Sequence, residues 1–229
     1  MNVHTLFTGV ANTHIVENER GVIVIDAGMP RHARQIVNAL RALGHSPQDL
    51  KLILLTHGHI DHAGSAVALK RLTGAPIALH RADARLTATR DLKIPPGRSA
   101  TTDVVGQTIA KFGWVVPLET FTPDVWLEDG MALRDFGIDA RVVHTPGHTA
   151  GSVSLAFDDG AVFVGDAILN LLHVSFPLFW EDAVAARESA CKIRALQPRV
   201  CYSGHGRAFD LNALDTFVEH HCNGSRQHA

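Results

Sequence analysis

Cysteine is scarce. The chain has three in 229 residues, Cys191, Cys201 and Cys222, all late in the sequence. They form no CxxC pair, and an odd number cannot all be joined. We therefore read reduced thiols in a cytoplasmic protein, not a disulfide-stapled secreted one. Charge of one sign is lacking too: 21 Lys and Arg stand against 23 Asp and Glu, a net charge of -2. That balance gives no general pull toward nucleic acid or an anionic membrane. No apolar run approaches the ~20 residues a membrane helix needs. The opening residues MNVHTLFTGV lack the basic stretch and apolar core of a signal peptide. Repeats, linkers and low-complexity segments are missing as well. With 46% hydrophobic residues, the expectation is a single domain over residues 1–229, built on one sizeable core.

What the chain does have is histidine, 15 in all. Imidazole is the commonest metal ligand, so their placement matters. Three of them fall in the run His57-Gly58-His59-Ile60-Asp61-His62. The run follows the apolar stretch of residues 52–55, read as a buried strand, and precedes residues 61–72, read as a helix. Residues two apart in an extended loop point the same way, so His57 and His59 can grip one ion. Asp61 stands where the helix begins and also reads as its N-cap.

The rest of the chain alternates strands and helices. Strands are expected over residues 3–8, 13–16, 21–26, 76–80, 117–122, 125–127, 131–133, 140–144, 152–157, 161–164 and 199–203. Helices are expected over 31–43, 81–89, 104–112, 182–196 and 211–221. Strands and helices mix in both halves, as in sheets covered by helices.

Three later segments repeat one pattern. His148 lies in His144-Thr145-Pro146-Gly147-His148 after an apolar strand. Asp166 follows Val164-Gly165, and His205 follows Ser203-Gly204. Each is a strand, a glycine and a side chain able to bind metal. Polar groups gathered at strand ends converge on one site. With the first run they supply five histidines and two aspartates, enough for two ions. Nitrogen and carboxylate donors without thiolate suit zinc, iron or manganese, with zinc the first choice. A bridging carboxylate holds two cations close, where they lower the pKa of a shared water.

On these residues the sequence resembles the metallo-β-lactamase superfamily, whose signature is His-x-His-x-Asp-His followed by a later His, Asp and His. The resemblance runs from Asp26-Ala27-Gly28 to His205. It implies an α/β (α+β) four-layer αβ/βα sandwich, two mixed β-sheets face to face with helices outside. It also implies that His57, His59 and His148 hold the first metal, that Asp61, His62 and His205 hold the second, and that Asp166 bridges. The activity implied is a dinuclear metal-dependent hydrolase in which a metal-bridging hydroxide attacks an ester, thioester or lactone carbonyl. Asp61 is the candidate catalytic base.

Within that superfamily the sequence discriminates by absence. Asp166 stands where one class of zinc β-lactamases has Cys and another has no bridging carboxylate. His59 stands where flavodiiron proteins have Glu. No basic RNA-binding arm like that of ribonuclease Z is present. The stretch after Asp166 lacks the Tyr of quorum-quenching lactonases. Glyoxalase II is the nearest comparison, through Thr56 to His62. Residues 206–229 leave no room for its C-terminal helical domain, so a short glyoxalase II-like thioesterase is expected. A mono-iron persulfide dioxygenase-like oxidoreductase is the alternative, along with β-lactam or phosphodiester hydrolysis.

Two segments are expected to shape the pocket. Residues 170–180 are rich in large apolar groups and read as a substrate lid, a core edge or a homodimer contact. Residues 91–102 read as an irregular insert carrying Lys93 and Arg98. The expected partner is a small-molecule substrate. His144 is read as a loop brace, Asp26 as a tie for backbone near the site, and His173 and His14 as secondary candidates near the cleft.

Overall fold

Val22 and Val24 face one way along their strand, Ile23 and Ile25 the other, and all four are buried. A strand with two buried faces needs cover on both sides. The structure, a computed structural model, describes residues 1–89, 94, 96–112 and 119–222. Among them one six-stranded sheet runs in chain order: β1 (Asn2–Phe7), β2 (Asn12–Asn18), β3 (Gly21–Ile25), β4 (Leu50–Leu54), β5 (Ile77–His80) and β6 (Val125–Leu127). It is mixed, with β1, β2 and β3 antiparallel and β3 to β6 parallel.

A four-stranded sheet takes the later chain: β7 (Ala140–His144), β8 (Val153–Phe157), β9 (Ala161–Gly165) and β12 (Val200–Ser203), in the order β12-β9-β8-β7. It is mixed too, since β12 lies parallel to β9 while β9, β8 and β7 alternate. Between the sheets lie Ile23, Ile25, Leu52 and Leu54 from one side and Val142, Leu155 and Phe163 from the other. Outside the first sheet pack α1 (Ala33–Ala42), through Ile36, Val37 and Leu40, and α3 (Ala66–Thr73), through Leu69. Outside the second pack α6 (Ala183–Ala195), through Ala190 and Ile193, and α7 (Leu211–Cys222), through Leu214, Phe217 and Val218. The layers are helix, sheet, sheet, helix, as the expected αβ/βα sandwich requires. Each fully buried Ile, Leu or Phe contributes about 1.5–3 kcal/mol.

Several local expectations change. The helix expected over 61–72 is two helices, α2 (Ile60–Ala63) and α3, separated at Gly64-Ser65. The first helical residue after His59 is Ile60, so His59 and not Asp61 occupies the N-cap position, and it makes no side-chain cap hydrogen bond. Residues 81–89 form a short 3-10 turn and then α4 (Ala84–Ala88). Residues 131–133 form only an isolated bridge at Ala132, and residues 119–122 are not a strand. Lys93 and the start of the insert lie outside the described residues, as does the beginning of the strand expected over 117–122. The described end of the insert is not irregular, because α5 (Ala100–Phe112) begins within it. The reduced-thiol expectation fails at Cys191, which is disulfide-bonded, a pairing that spacing alone does not reveal. Cys201 is free, and burial pushes its thiol up to about 12. Among the described residues no helix is long and apolar enough to cross a membrane.

Residues 170–180 are not one loop. They begin in a small hairpin of β10 (Leu169–Asn170) and β11 (Val174–Ser175), whose tip exposes Leu171 and Leu172. Beyond it Phe176 is buried against Phe217 of α7, so this part is a core edge.

Candidate metal centre

The strand directions explain why distant residues meet. β3 and β4 are parallel, so Asp26 and the loop from Thr56 leave the first sheet at the same edge. β9 and β12 are parallel, and β7 shares their direction through β8. The turns bearing His148, Asp166 and His205 therefore leave the second sheet together. Backbone bonds stitch the two edges. Val153 N–H donates to the Thr56 carbonyl at 2.8 Å, and Asn12 N–H donates to the Gly204 carbonyl at 2.7 Å.

All seven candidate residues meet there. His57, His59 and His148 bring one donor atom each within 4.8 Å of one another. The same holds for His57, His62 and Asp166, and for Asp61, His62 and His205. The sets overlap through His57 and His62. His59 Nδ1 lies 2.9 Å from His148 Nε2, and His62 Nε2 lies 3.3 Å from His205 Nε2. Asp166 reaches both sides, with Oδ2 at 3.6 Å from His148 Nε2 and 3.3 Å from His205 Nε2. Asp61 Oδ2 is 3.3 Å from His205 Nε2.

The other ring nitrogens of four of these histidines are held by the protein. His57 Nδ1 is 3.1 Å from the Thr56 hydroxyl. His62 Nδ1 is 2.8 Å from Asp26 Oδ2. His148 Nδ1 donates to the Phe179 carbonyl and His205 Nδ1 to the Val10 carbonyl, each at 2.8 Å. Such partners fix the ring and leave the inward nitrogen free to bind. Inward, the bonding stops: His57 Nε2 and Asp166 Oδ1 are buried with no hydrogen-bond partner, and His59 turns its Nδ1 to His148. An unsatisfied buried polar atom costs about 1–3 kcal/mol, so two on residues of one donor set need a common partner. A cation satisfies lone pairs and a carboxylate at once, and the donor set fits one.

Electrostatics divides the site. Burial, with His62 and His148 nearby, holds His57 well below the usual imidazole range, and burial with His148 pushes His59 down to about 3. Both rings are neutral at pH 7, the form that binds metal. At His62 burial also disfavours the charge, but Asp166, Asp26 and Asp61 outweigh it and raise the ring to about 9. Burial opposes charge at His205 too, and Asp166 and Asp61 still lift it to about 11. Against burial, the facing histidines hold both Asp61 and Asp166 below the carboxylate range. The second set is thus a concentration of negative charge that attracts protons or any competing cation.

Room for this crowding comes from Gly204. A Cβ there would stand 2.3 Å from Asp166 Oδ1 and 2.7 Å from His62 Cε1. Only a residue without a side chain lets the two donors approach the β12 turn.

The family model of the metallo-beta-lactamase superfamily matches residues 6–205. The chain belongs to that superfamily. As a member it is a metal-dependent hydrolase that binds divalent metal. It is 30% identical over 230 residues to the probable metallo-hydrolase YflN of Bacillus subtilis (strain 168), covering 89% of this chain and 83% of the relative. It is 27% identical to the hydroxyacylglutathione hydrolase GloC of Haemophilus influenzae, over 68% of this chain and 65% of that relative. Among solved structures it is similar to TTHA1623 in a di-iron-bound form. There the TM-score is 0.69 and the identity 26%, with 96% of this chain and 98% of that one covered.

Other residues fall as follows. His144 braces its loop, with Nε2 2.9 Å from the Ala150 carbonyl and its ring stacked on His80. His173 is exposed and belongs to none of the donor sets. His14 is buried beside Phe163 and Tyr202, between the sheets and outside the donor sets. Asp26 does more than tie backbone, since it accepts from Thr56 N–H at 2.8 Å and also meets His62. Sequence reading missed Asp83 altogether. Its carboxylate partners are Gly58, Thr149 and Gly151, and no local pattern links it to them.

Proposed function

We propose that the chain is a dinuclear hydrolase of an acyl ester, thioester or lactone. In this reading His57, His59 and His148 hold one divalent ion, Asp61, His62 and His205 hold the second, and Asp166 is shared. The observation that carries it is the overlap of the three donor sets through His57 and His62, with His57 Nε2 and Asp166 Oδ1 buried and without a hydrogen-bond partner. Zinc is the metal we favour, because the donors are imidazole and carboxylate. The di-iron form of TTHA1623 supports a two-metal reading without deciding the element. Bound divalent ions supply Lewis acidity, lowering the pKa of water toward neutrality and stabilising negative charge on an attacked carbonyl.

The chain's own residues supply positioning and proton handling. Thr56, Asp26 and the Phe179 and Val10 carbonyls orient the imidazoles. Asp61 is the more accessible carboxylate, with 24% of its side chain exposed against 7% for Asp166. It is therefore the carboxylate placed to take a proton from an incoming nucleophile. The hydroxyacylglutathione hydrolase among the relatives favours an acyl substrate. The partner in this reading is a small molecule.

Metal analysis followed by a panel of thioester, lactone, aryl ester and phosphodiester substrates tests the reading. Two metal equivalents and hydrolysis of an acyl substrate support it. One iron with sulfur-dependent oxygen uptake, or two metals with phosphodiesters alone cleaved, overturns it.

A further inference from the structure

His59 and His148 are 89 positions apart, on loops from different sheets, yet their facing nitrogens lie 2.9 Å apart. Something must hold the two loops at that spacing. The orienting bonds already described act on single rings, and none joins one loop to the other.

Asp83 does join them. It sits in the 3-10 turn after β5, its side chain almost wholly buried. Oδ2 accepts from Gly58 N–H at 2.8 Å, between His57 and His59 in the chain. The same oxygen accepts from the Thr149 hydroxyl at 2.8 Å, beside His148. Oδ1 accepts from Gly151 N–H at 2.7 Å. One carboxylate thus clamps both loops. Gly151 permits the approach, since a Cβ there would stand 2.4 Å from Asp83 Oδ1. The Thr149 hydroxyl is itself anchored, 2.8 Å from the Ser152 hydroxyl. None of these bonds reaches Asp61, His62 or His205.

We propose that Asp83 is a positioning residue for the three-histidine set alone, fixing the span between the His57–His59 loop and the His148 loop. The inference rests on the reading of those histidines as metal ligands. Asp83→Asn is the sharpest variant. Whichever way the amide turns, one backbone N–H faces an NH2 group and loses its acceptor.

Zn2+ titration against a chromophoric chelator tests this in two backgrounds. His205→Ala cripples the second set and leaves the three histidines. His57→Ala cripples the three-histidine set and leaves the second. Asp83→Asn is expected to weaken Zn2+ about 10- to 100-fold in the first background, the size typical of lost ligand-supporting contacts, and to change nothing in the second. A purely structural role would lower both alike, and that result overturns the proposal, as does no loss in either. If the unsubstituted protein captures no Zn2+, the metal reading itself fails, an outcome distinct from the others. Should Asp83→Asn lose its cooperative thermal transition, Thr149→Val removes one arm of the clamp. It is expected to weaken Zn2+ in the His205→Ala background only, and unchanged affinity there overturns the proposal.

Discussion

Asp26 Oδ2 and His62 Nδ1 meet at 2.8 Å in a place that solvent does not reach. The contact turns the His62 Nε2 lone pair toward Asp166 and His205, and the Asp26 charge makes that nitrogen a stronger donor. Asp26 holds its pose because its backbone is left-handed, with φ 60°, a conformation Asp tolerates better than most side chains.

Asp26→Asn should therefore weaken the ion held by Asp61, His62 and His205 by about 10- to 100-fold, which is about 1.4–2.8 kcal/mol. Zn2+ competition titration reads the loss. Unaltered affinity for both ions would remove Asp26 from metal binding.

Gly204→Ala should injure the same region by crowding. The added methyl meets Asp166 and His62 at distances no relaxed structure accepts. The expected outcome is loss of the metal shared through Asp166, with the fold kept. Metal content by mass spectrometry, together with a retained circular dichroism spectrum, checks it.

Asp61→Asn separates binding from proton transfer. A general base contributes about 10²–10⁴ in rate, so turnover should fall by that order once metal is saturating. Steady-state kinetics on the fully metallated variant, over a range of pH, measures the drop. Near-normal turnover takes Asp61 out of the proton-transfer role.

His14 gives a prediction on pH. Burial lowers its ring from 6.5 to about 4, so the folded protein keeps it neutral where the unfolded chain protonates. Its stabilising contribution is complete above the unfolded value near 6.5 and is lost as pH falls toward 4. The loss amounts to at most about 3 kcal/mol. Urea denaturation at pH 7 and pH 5 should show the decline, and His14→Gln should flatten it. An equal decline in both proteins assigns it to other groups.

Much of this was legible in the sequence. A short apolar β-type run marked Val22 to Ile25, and the His57–His62 run with the glycine-donor pattern at three later strand ends gathered every member of the three donor sets. What was not legible depends on contacts across long separations. Asp83 looks like any aspartate after a strand, because its partners lie 25, 66 and 68 positions away. The carbonyls of Phe179 and Val10 carry no side-chain signal at all. Asp61 read as a cap because an aspartate at a helix start usually is one. Here the helix starts a residue early, and the carboxylate turns toward His205 instead. The hairpin at residues 169–175 was hidden by shortness, since two-residue strands have no period to detect.

The Val153 to Thr56 and Asn12 to Gly204 bonds fasten one sheet's edge to the other where the donors collect. Each outer donor set also straddles the two sheets, His57 and His59 with His148, and Asp61 and His62 with His205. Neither half of the chain can assemble a complete set unaided. In the proposed reading, cations held by these sets would act as rivets across a joint between two separately woven panels, and their capture would report that the panels have closed.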